Sequence, residues 1–128
     1  MDKRMKIAIH ETLNQIGVPH NLKGRSYLVS SIEKCVEDKS KICRIVKGLY
    51  EELAEENKDK PERVERAIRH AIEVAWERGN EAVINKVFGY TVSYEKGRPT
   101  NSEFIANLAD FVSLYFEEIA DGTYSFER

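Results

Sequence analysis

Apolar residues recur along the chain at intervals of three and four, which is the spacing of helices rather than strands. The first run comprises Met5, Ile9, Leu13 and Ile16, and Gly17-Val18-Pro19 follows as a stop. The same spacing predicts five more helices: one from near Gly24, then about Lys41 to Glu56, Pro61 to Arg78, Glu81 to Phe88, and Thr100 to about Ile119. The chain is therefore predicted to be all-α, a compact bundle of about six helices.

Cap and turn residues mark the ends of these helices. Gly79 suits the C-cap of the fourth helix, and Thr100-Asn101-Ser102-Glu103 has the form of a capping box. Either Asp59 or Lys60 stands at the N-cap before Pro61, and the sequence leaves that choice open. The irregular stretch from Gly89 to Pro99 has room for a brief extended piece at Tyr90–Tyr94. The tail Asp121–Arg128 is expected to be frayed, and residues 1–128 are expected to form a single domain.

Composition and length place the chain among ordinary globular proteins. It has 128 residues, enough for a core without disulfide or metal staples, with 41% hydrophobic and 33% charged residues. No apolar run approaches the roughly 20 residues that cross a bilayer, and the N-terminus lacks a signal-peptide pattern. We therefore expect a cytoplasmic protein without membrane contact.

The chemistry-bearing residues indicate no enzyme. Cys35 and Cys43 lack metal-ligand spacing and are interpreted as reduced, semi-buried core residues. The three histidines His10, His20 and His70 are scattered, so neither a metal site nor a cofactor is expected. No nucleophile–base pattern, phosphate-binding glycine loop or convergent carboxylate pair is present in the sequence.

The predicted fourth helix separates its residues into two faces at about 100° per residue. Its apolar face is rich in alanine, which favours close approach to a neighbouring helix, as in a helix-turn-helix. That face comprises Val64, Ala67, Ile68, Ala71, Ile72, Val74, Ala75 and Trp76. The outer face comprises Glu62, Arg63, Glu65, Arg66, Arg69, His70, Glu73 and Glu77.

Two interpretations of this outer face stay open on spacing alone. The simpler one, and the one that spacing favours, is a solvated face with ion pairs worth a few tenths of a kcal/mol each; the candidate pairs are Glu62–Arg66, Glu65–Arg69 and Glu73–Arg69. The other is DNA recognition, because arginine can bond guanine O6 and N7 together and glutamate can accept from the cytosine amino group. The formal net charge of −2 counts against DNA binding, so only locally concentrated arginine supports it.

A longer run of residues resembles a known family. Arg63-Val64-Glu65-Arg66-Ala67-Ile68-Arg69-His70-Ala71-Ile72-Glu73-Val74-Ala75-Trp76, followed by Arg78-Gly79-Asn80, resembles the recognition-helix region of the sporulation stage 0 protein A family. These are response regulators of spore-forming Gram-positive bacteria. Further stretches agree: Ile16-Gly17-Val18-Pro19 with Lys23-Gly24, Phe88-Gly89-Tyr90-Thr91-Val92-Ser93, and Pro99-Thr100-Asn101-Ser102-Glu103-Phe104-Ile105-Ala106. The resemblance spans roughly residues 7 to 112.

The resemblance implies a winged-helix-like effector domain of six helices, with a helix-turn-helix at about residues 42–78. It implies binding to double-stranded DNA at a short promoter box, a C-G step followed by adenines, by tandem subunits or a homodimer. Carried over by position, Arg66 would read the guanine and Glu65 the neighbouring cytosine. Arg63 and Arg69 would hold the backbone or flanking bases.

Other residues enter by position around this helix. Lys58 and Lys60 in the preceding turn are candidates for backbone contacts, as is His70, for which a plain surface role is the simpler interpretation. The resemblance also implies a contact with RNA polymerase sigma factor or a neighbouring subunit, placed near Phe88, Val92 and the segment from Ala106 to Asp110.

The sequence departs from the family pattern in three ways, of which Glu62 and the aromatic last helix, together with the acidic net charge, motivate an alternative function. Family members carry a phospho-acceptor receiver domain before the effector domain, and this sequence is either an excised fragment or a receiver-less relative, so control by phosphorylation is not carried over. Glu62 replaces a small hydroxyl residue that would bond phosphate, and the last helix continues as Phe111-Val112-Ser113-Leu114-Tyr115-Phe116-Glu117-Glu118, more aromatic and acidic than the family's basic ending. The alternative is a receiver-less interaction protein that modulates a full-length relative or RNA polymerase without specific DNA binding.

Overall fold

The computed structural model describes residues 2–38, 48–89 and 97–127. Over these ranges the chain forms six helices and no strand. They are α1 (Lys3–Ile16), α2 (Lys23–Glu37), α3 (Tyr50–Asn57), α4 (Pro61–Arg78), α5 (Glu81–Phe88) and α6 (Asn101–Asp121). The predicted all-α class is confirmed. No helix in the described ranges has the length and apolar character needed to span a membrane.

The helix ends follow the local chemistry that the sequence indicates. Thr100 Oγ1 accepts the Glu103 N–H, and the Glu103 carboxylate accepts the Thr100 N–H, so the capping box is confirmed. Gly79 ends α4 in a left-handed conformation, with φ of 64°. Lys60, not Asp59, is the N-cap of α4, and the Asp59 carboxylate instead accepts the Lys60 N–H at 2.8 Å. The open choice at this helix start is thereby settled.

The core lies where α1, α2 and α4 pack around α6. α1 runs along α6, while α2 contacts both α4 and α6. The rings of Trp76, Phe88 and Phe104 meet there with centroid distances of 5.4 to 6.3 Å. Cys35 is buried in this core, as expected, and Cys43 lies outside the described residues.

The alanine-rich face of α4 makes a close approach, but to α2 and not to the preceding helix of the predicted helix-turn-helix. A Cβ placed on Gly24 would lie 2.0 Å from the carbonyl oxygen of Ala67 and 2.9 Å from the Cβ of Ala71. Only glycine therefore fits this position. The two backbones touch here, so α2 fixes the position of α4.

The tail that follows α6 is ordered against the core, so the prediction of a frayed tail is wrong. α6 includes Asp121, and Phe126 is only 7% exposed. The ring of Tyr124 packs edge-on against Phe111 at 5.4 Å, and Phe126 lies 6.1 Å from the same ring. Burial of these aromatic side chains outweighs the loss of backbone freedom that makes most termini mobile.

Several predictions fall on residues that the structure does not describe. They are the beginning of the third helix from Lys41, residues 42–47 of the helix-turn-helix, the extended piece at Tyr90–Tyr94, and Val92.

Candidate nucleic-acid interface

The two faces of α4 lie as its sequence pattern predicts. Val64, Ile68, Ala71, Ile72, Ala75 and Trp76 are buried. Across the helix, the exposed residues are Glu62, Arg63, Arg66, Arg69, His70 and Glu77, while Glu65 and Glu73 are half-buried. α4 follows α3 after a turn of three residues, Lys58 to Lys60.

Arg66 occupies the middle of the exposed face. A separation of three residues corresponds to about 300° on a helix, so Arg63 and Arg69 lie about 60° to either side of Arg66. Within the described parts of the chain, the Arg66 guanidinium makes no ion pair. The Glu62–Arg66 pair of the solvated interpretation does not form among these residues. Arg66 is therefore an exposed cation with its donors available.

Glu65 differs from Arg66 because an arginine of the same helix already holds it. The Arg69 Nη1 donates to Glu65 Oε2 at 2.6 Å, the i,i+4 pair expected from spacing. Glu73, by contrast, pairs with Arg98 at 3.1 Å rather than with Arg69, and lies 3.8 Å from the His70 ring. Glu65 thus neutralises Arg69 of the same helix, and Glu73 neutralises Arg98 from outside it.

The turn before α4 is fixed from α2. Lys58 adopts a left-handed conformation with φ of 54°, and both Lys58 and Lys60 are exposed. Tyr27 donates its hydroxyl hydrogen to Asp59 Oδ2 at 2.5 Å. Burial and then this bond raise the pKa of Tyr27 to about 12, and the same bond lowers the pKa of Asp59. Asp59 therefore stays anionic and anchors the turn between two lysines that face solvent.

A buried amide connects α4 to α6. Asn101 Nδ2 donates to the Tyr50 hydroxyl at 3.0 Å and to the main-chain oxygen of Glu65 at 3.2 Å. One side chain thus connects α3, α4 and α6 at the position of Glu65. Sequence reasoning missed Asn101 and Arg98. The only signal was that Pro99-Thr100-Asn101-Ser102 belongs to a stretch resembling the family, and local spacing does not show which helix it meets.

The residues predicted near a contact with sigma factor or a neighbouring subunit differ in how exposed they are. Phe88 is 2% exposed and packs on Trp76 and Phe104, so its side chain lies in the core, and the contact expected near it stays a prediction. Asp110 is exposed on α6 and Ala106 is half-buried. Phe88 supports the core beneath this surface, since its aromatic ring finds its contacts inside the bundle.

The chain forms an all-helical bundle in which a three-residue turn joins two consecutive helices, and the second of these exposes a group of arginines. This is the architecture of a helical DNA-binding domain. Residues 9–112 match the family described as sporulation initiation factor Spo0A C terminal. This match covers most of the chain, and the chain belongs to that family. It is thus a DNA-binding transcription-regulatory domain of the sporulation type.

Proposed function

We propose that this chain is a sequence-specific transcription regulator that places α4 in the major groove of a short promoter box. The observation that carries the proposal is Arg66, exposed and without an ion pair in the described ranges, between Arg63 and Arg69. The planar guanidinium of a central exposed arginine can donate hydrogen bonds to both O6 and N7 of a guanine. Residues about 60° to either side of it around the helix reach the sugar-phosphate backbones of the two DNA strands.

Glu65 serves as the second base-reading residue while Arg69 orients it. The Arg69 guanidinium occupies Glu65 Oε2, and Oε1 retains acceptor capacity for the amino group of a cytosine. The hydrogen bond from Asn101 to the Glu65 main chain fixes this part of α4. A carboxylate so oriented loses less freedom when it meets a base than one in open solvent.

Backbone contacts come from residues around this centre. Lys58, Lys60 and Arg63 lie exposed at the start of α4 and suit phosphates on one side of the groove, and His70 extends the same face. Glu62 is exposed among them, and its charge opposes phosphate approach. We infer that Glu62 weakens overall affinity and leaves sequence preference to Arg66.

The test is a fluorescence anisotropy titration at several salt concentrations, on one duplex with a C-G step followed by adenines and one scrambled duplex. Arg66→Ala is expected to weaken binding to the box roughly 5- to 150-fold, the equivalent of about 1–3 kcal/mol, and to change binding to the scrambled duplex far less. Arg78→Ala is the matched control, because Arg78 is exposed on the same helix about 18 Å along its axis. Equal loss on both duplexes in Arg66→Ala would reassign Arg66 to backbone contact.

A second candidate function is an interaction protein that modulates a full-length relative or RNA polymerase. Leu114 is 72% exposed and Tyr115 is 37% exposed, on the same helix as Ala106 and Asp110. These apolar side chains favour a protein contact on α6, with sigma factor or a neighbouring subunit on DNA as the partner. Equal, negligible binding to both duplexes in the titration above would favour this function over DNA reading.

A further inference from the structure

A surface pocket of about 560 Å³ opens between α4 and the first turn of α6. Two arginines from different parts of the chain line this pocket: Arg69 lies on α4, and Arg98 lies in the segment before α6. The pocket lining consists of Tyr50, Glu65, Arg69, Arg98, Pro99, Thr100, Asn101 and Ser102. The pocket therefore has two guanidinium groups on its walls beside the face that carries Arg66.

Each of these arginines has one carboxylate partner and remains half exposed. Arg69 pairs with Glu65 at 2.6 Å, and Arg98 pairs with Glu73 at 3.1 Å. Their side chains are 45% and 47% exposed, respectively. Because a guanidinium has five N–H donors, one carboxylate does not use all of them. Both arginines retain donor capacity for an incoming anion, so a phosphate can begin to bind Arg98 before Glu73 leaves it.

The pocket lies on a defined side of the reading face. Arg69 is about 60° from Arg66 around α4, and Arg63 is about 60° away in the other direction. When Arg66 points at base edges, Arg63 is directed toward one strand's backbone and Arg69 toward the other's. The turn lysines and Arg63 suit the first backbone, and of the residues that the family resemblance implies, Arg69 suits the second.

We propose that Arg98 is a DNA-contacting residue, and that Arg98 and Arg69 together bind one backbone phosphate on the side of α4 away from Arg63. This inference rests on the proposed function. On binding, the phosphate replaces Glu73 as the partner of Arg98, and the Glu73 carboxylate, already 36% exposed, turns to solvent. A planar guanidinium accepts this exchange because carboxylate and phosphate present similar oxygen pairs.

The two carboxylates set which phosphate the pocket accepts. Glu65 and Glu73 balance the charges of Arg69 and Arg98, so the unbound pocket has little net attraction for a free anion. A phosphate is bound when insertion of α4 into the groove brings it there. Inorganic phosphate at millimolar concentration is therefore expected to compete with DNA no better than chloride at equal ionic strength.

The first test compares Arg98→Gln with Arg4→Gln. Arg4 is a close match: its side chain is 46% exposed and pairs with one carboxylate, Asp121, at 2.8 Å, on helices remote from the reading face. For Arg98→Gln we expect a slope of log K against log salt that is shallower by about 0.9, and Kd roughly three- to tenfold weaker at about 0.1 M salt on both duplexes. Arg4→Gln is expected to keep the wild-type slope, and an equal change in both variants would overturn the assignment.

The second test locates the phosphate. Duplexes carrying a single neutral methylphosphonate at successive backbone positions are titrated with wild type, Arg4→Gln and Arg98→Gln. One position is expected to weaken binding of the first two proteins strongly and binding of Arg98→Gln clearly less, because only Arg69 then meets that phosphate. If every position affects all three proteins alike, Arg98 makes no phosphate contact, even though the box preference and its dependence on Arg66 stand. Absence of box preference in the wild type would instead overturn the proposed function itself.

Discussion

The contact between Gly24 and α4 gives a sharp test of how α4 is positioned. In Gly24→Ala the added Cβ would lie 2.0 Å from the Ala67 carbonyl oxygen and 2.7 Å from its carbonyl carbon. Both atoms belong to the backbone of α4, so no side-chain rotation relieves the overlap. The helices must separate by about 1 Å to reach the shortest contact that real Cβ atoms make.

Two opposing effects set the size of the change. Alanine is favoured over glycine inside a helix by about 1 kcal/mol, which alone would stabilise α2. Overpacking a tight contact costs about 1–3 kcal/mol, and a clash with backbone belongs at the upper end or above. We expect the free energy of unfolding to fall by about 2 kcal/mol or more.

Urea denaturation followed by circular dichroism measures this change, with Ser26→Ala as the control on the exposed side of α2. Ser26→Ala removes only a local bond to the Lys23 carbonyl and is expected to change stability by less than about 0.5 kcal/mol. Since the same clash displaces α4, Gly24→Ala should also reduce preference for the box duplex. A Gly24→Ala variant more stable than wild type would show that helix propensity dominates and that the two backbones do not touch.

Two further predictions concern stability. Burial, followed by the charge of Arg25, lowers the pKa of His10, whose Nδ1 lies 3.0 Å from Arg25 Nη2. The unfolded chain therefore takes up a proton at His10 at a higher pH than the folded chain does, and the free energy of unfolding falls as pH drops below about 6.5. In urea titrations, His10→Gln, which keeps an acceptor for Arg25, should lose less free energy of unfolding than the wild type between about pH 7 and pH 5.5. A pH dependence equal to that of the wild type would contradict this assignment. Phe126→Ala is expected to lower the free energy of unfolding by about 3 kcal/mol in thermal or urea denaturation, because it uncovers Phe111. Ser125 is exposed, so Ser125→Ala should change that free energy little. Equal effects of the two substitutions would mean that the tail does not pack against the core.

Local chemistry explains why so much of the fold could be predicted. Apolar spacing located the helices, and the 100° rotation per residue divided α4 into a buried face and an exposed face that the structure confirms. The capping box at Thr100 and the glycine stop at Gly79 also depend only on neighbours in the chain. Each of these features follows from interactions over at most four residues, which one sequence displays.

The errors and omissions concern contacts between distant residues. The tail was expected to fray because chain ends usually do, but Tyr124 and Phe126 find Phe111 on α6. Glu73 was one of several residues within reach of Arg69, and the structure pairs it with Arg98 from the segment before α6. Spacing within a helix limits which partners are close but does not show which other segments come near.

The sequence by itself determined the all-helical class, the composition of the exposed face of α4 and the family to which the chain belongs, because helical periodicity and residue order are properties of the chain. Tertiary structure alone decided that α2 sets the position of α4 through Gly24, that Asn101 connects three helices beneath Glu65, and that Arg69 and Arg98 share one pocket. The physical reason is that packing brings together groups far apart in the chain, and the geometry of that packing depends on all the helices at once.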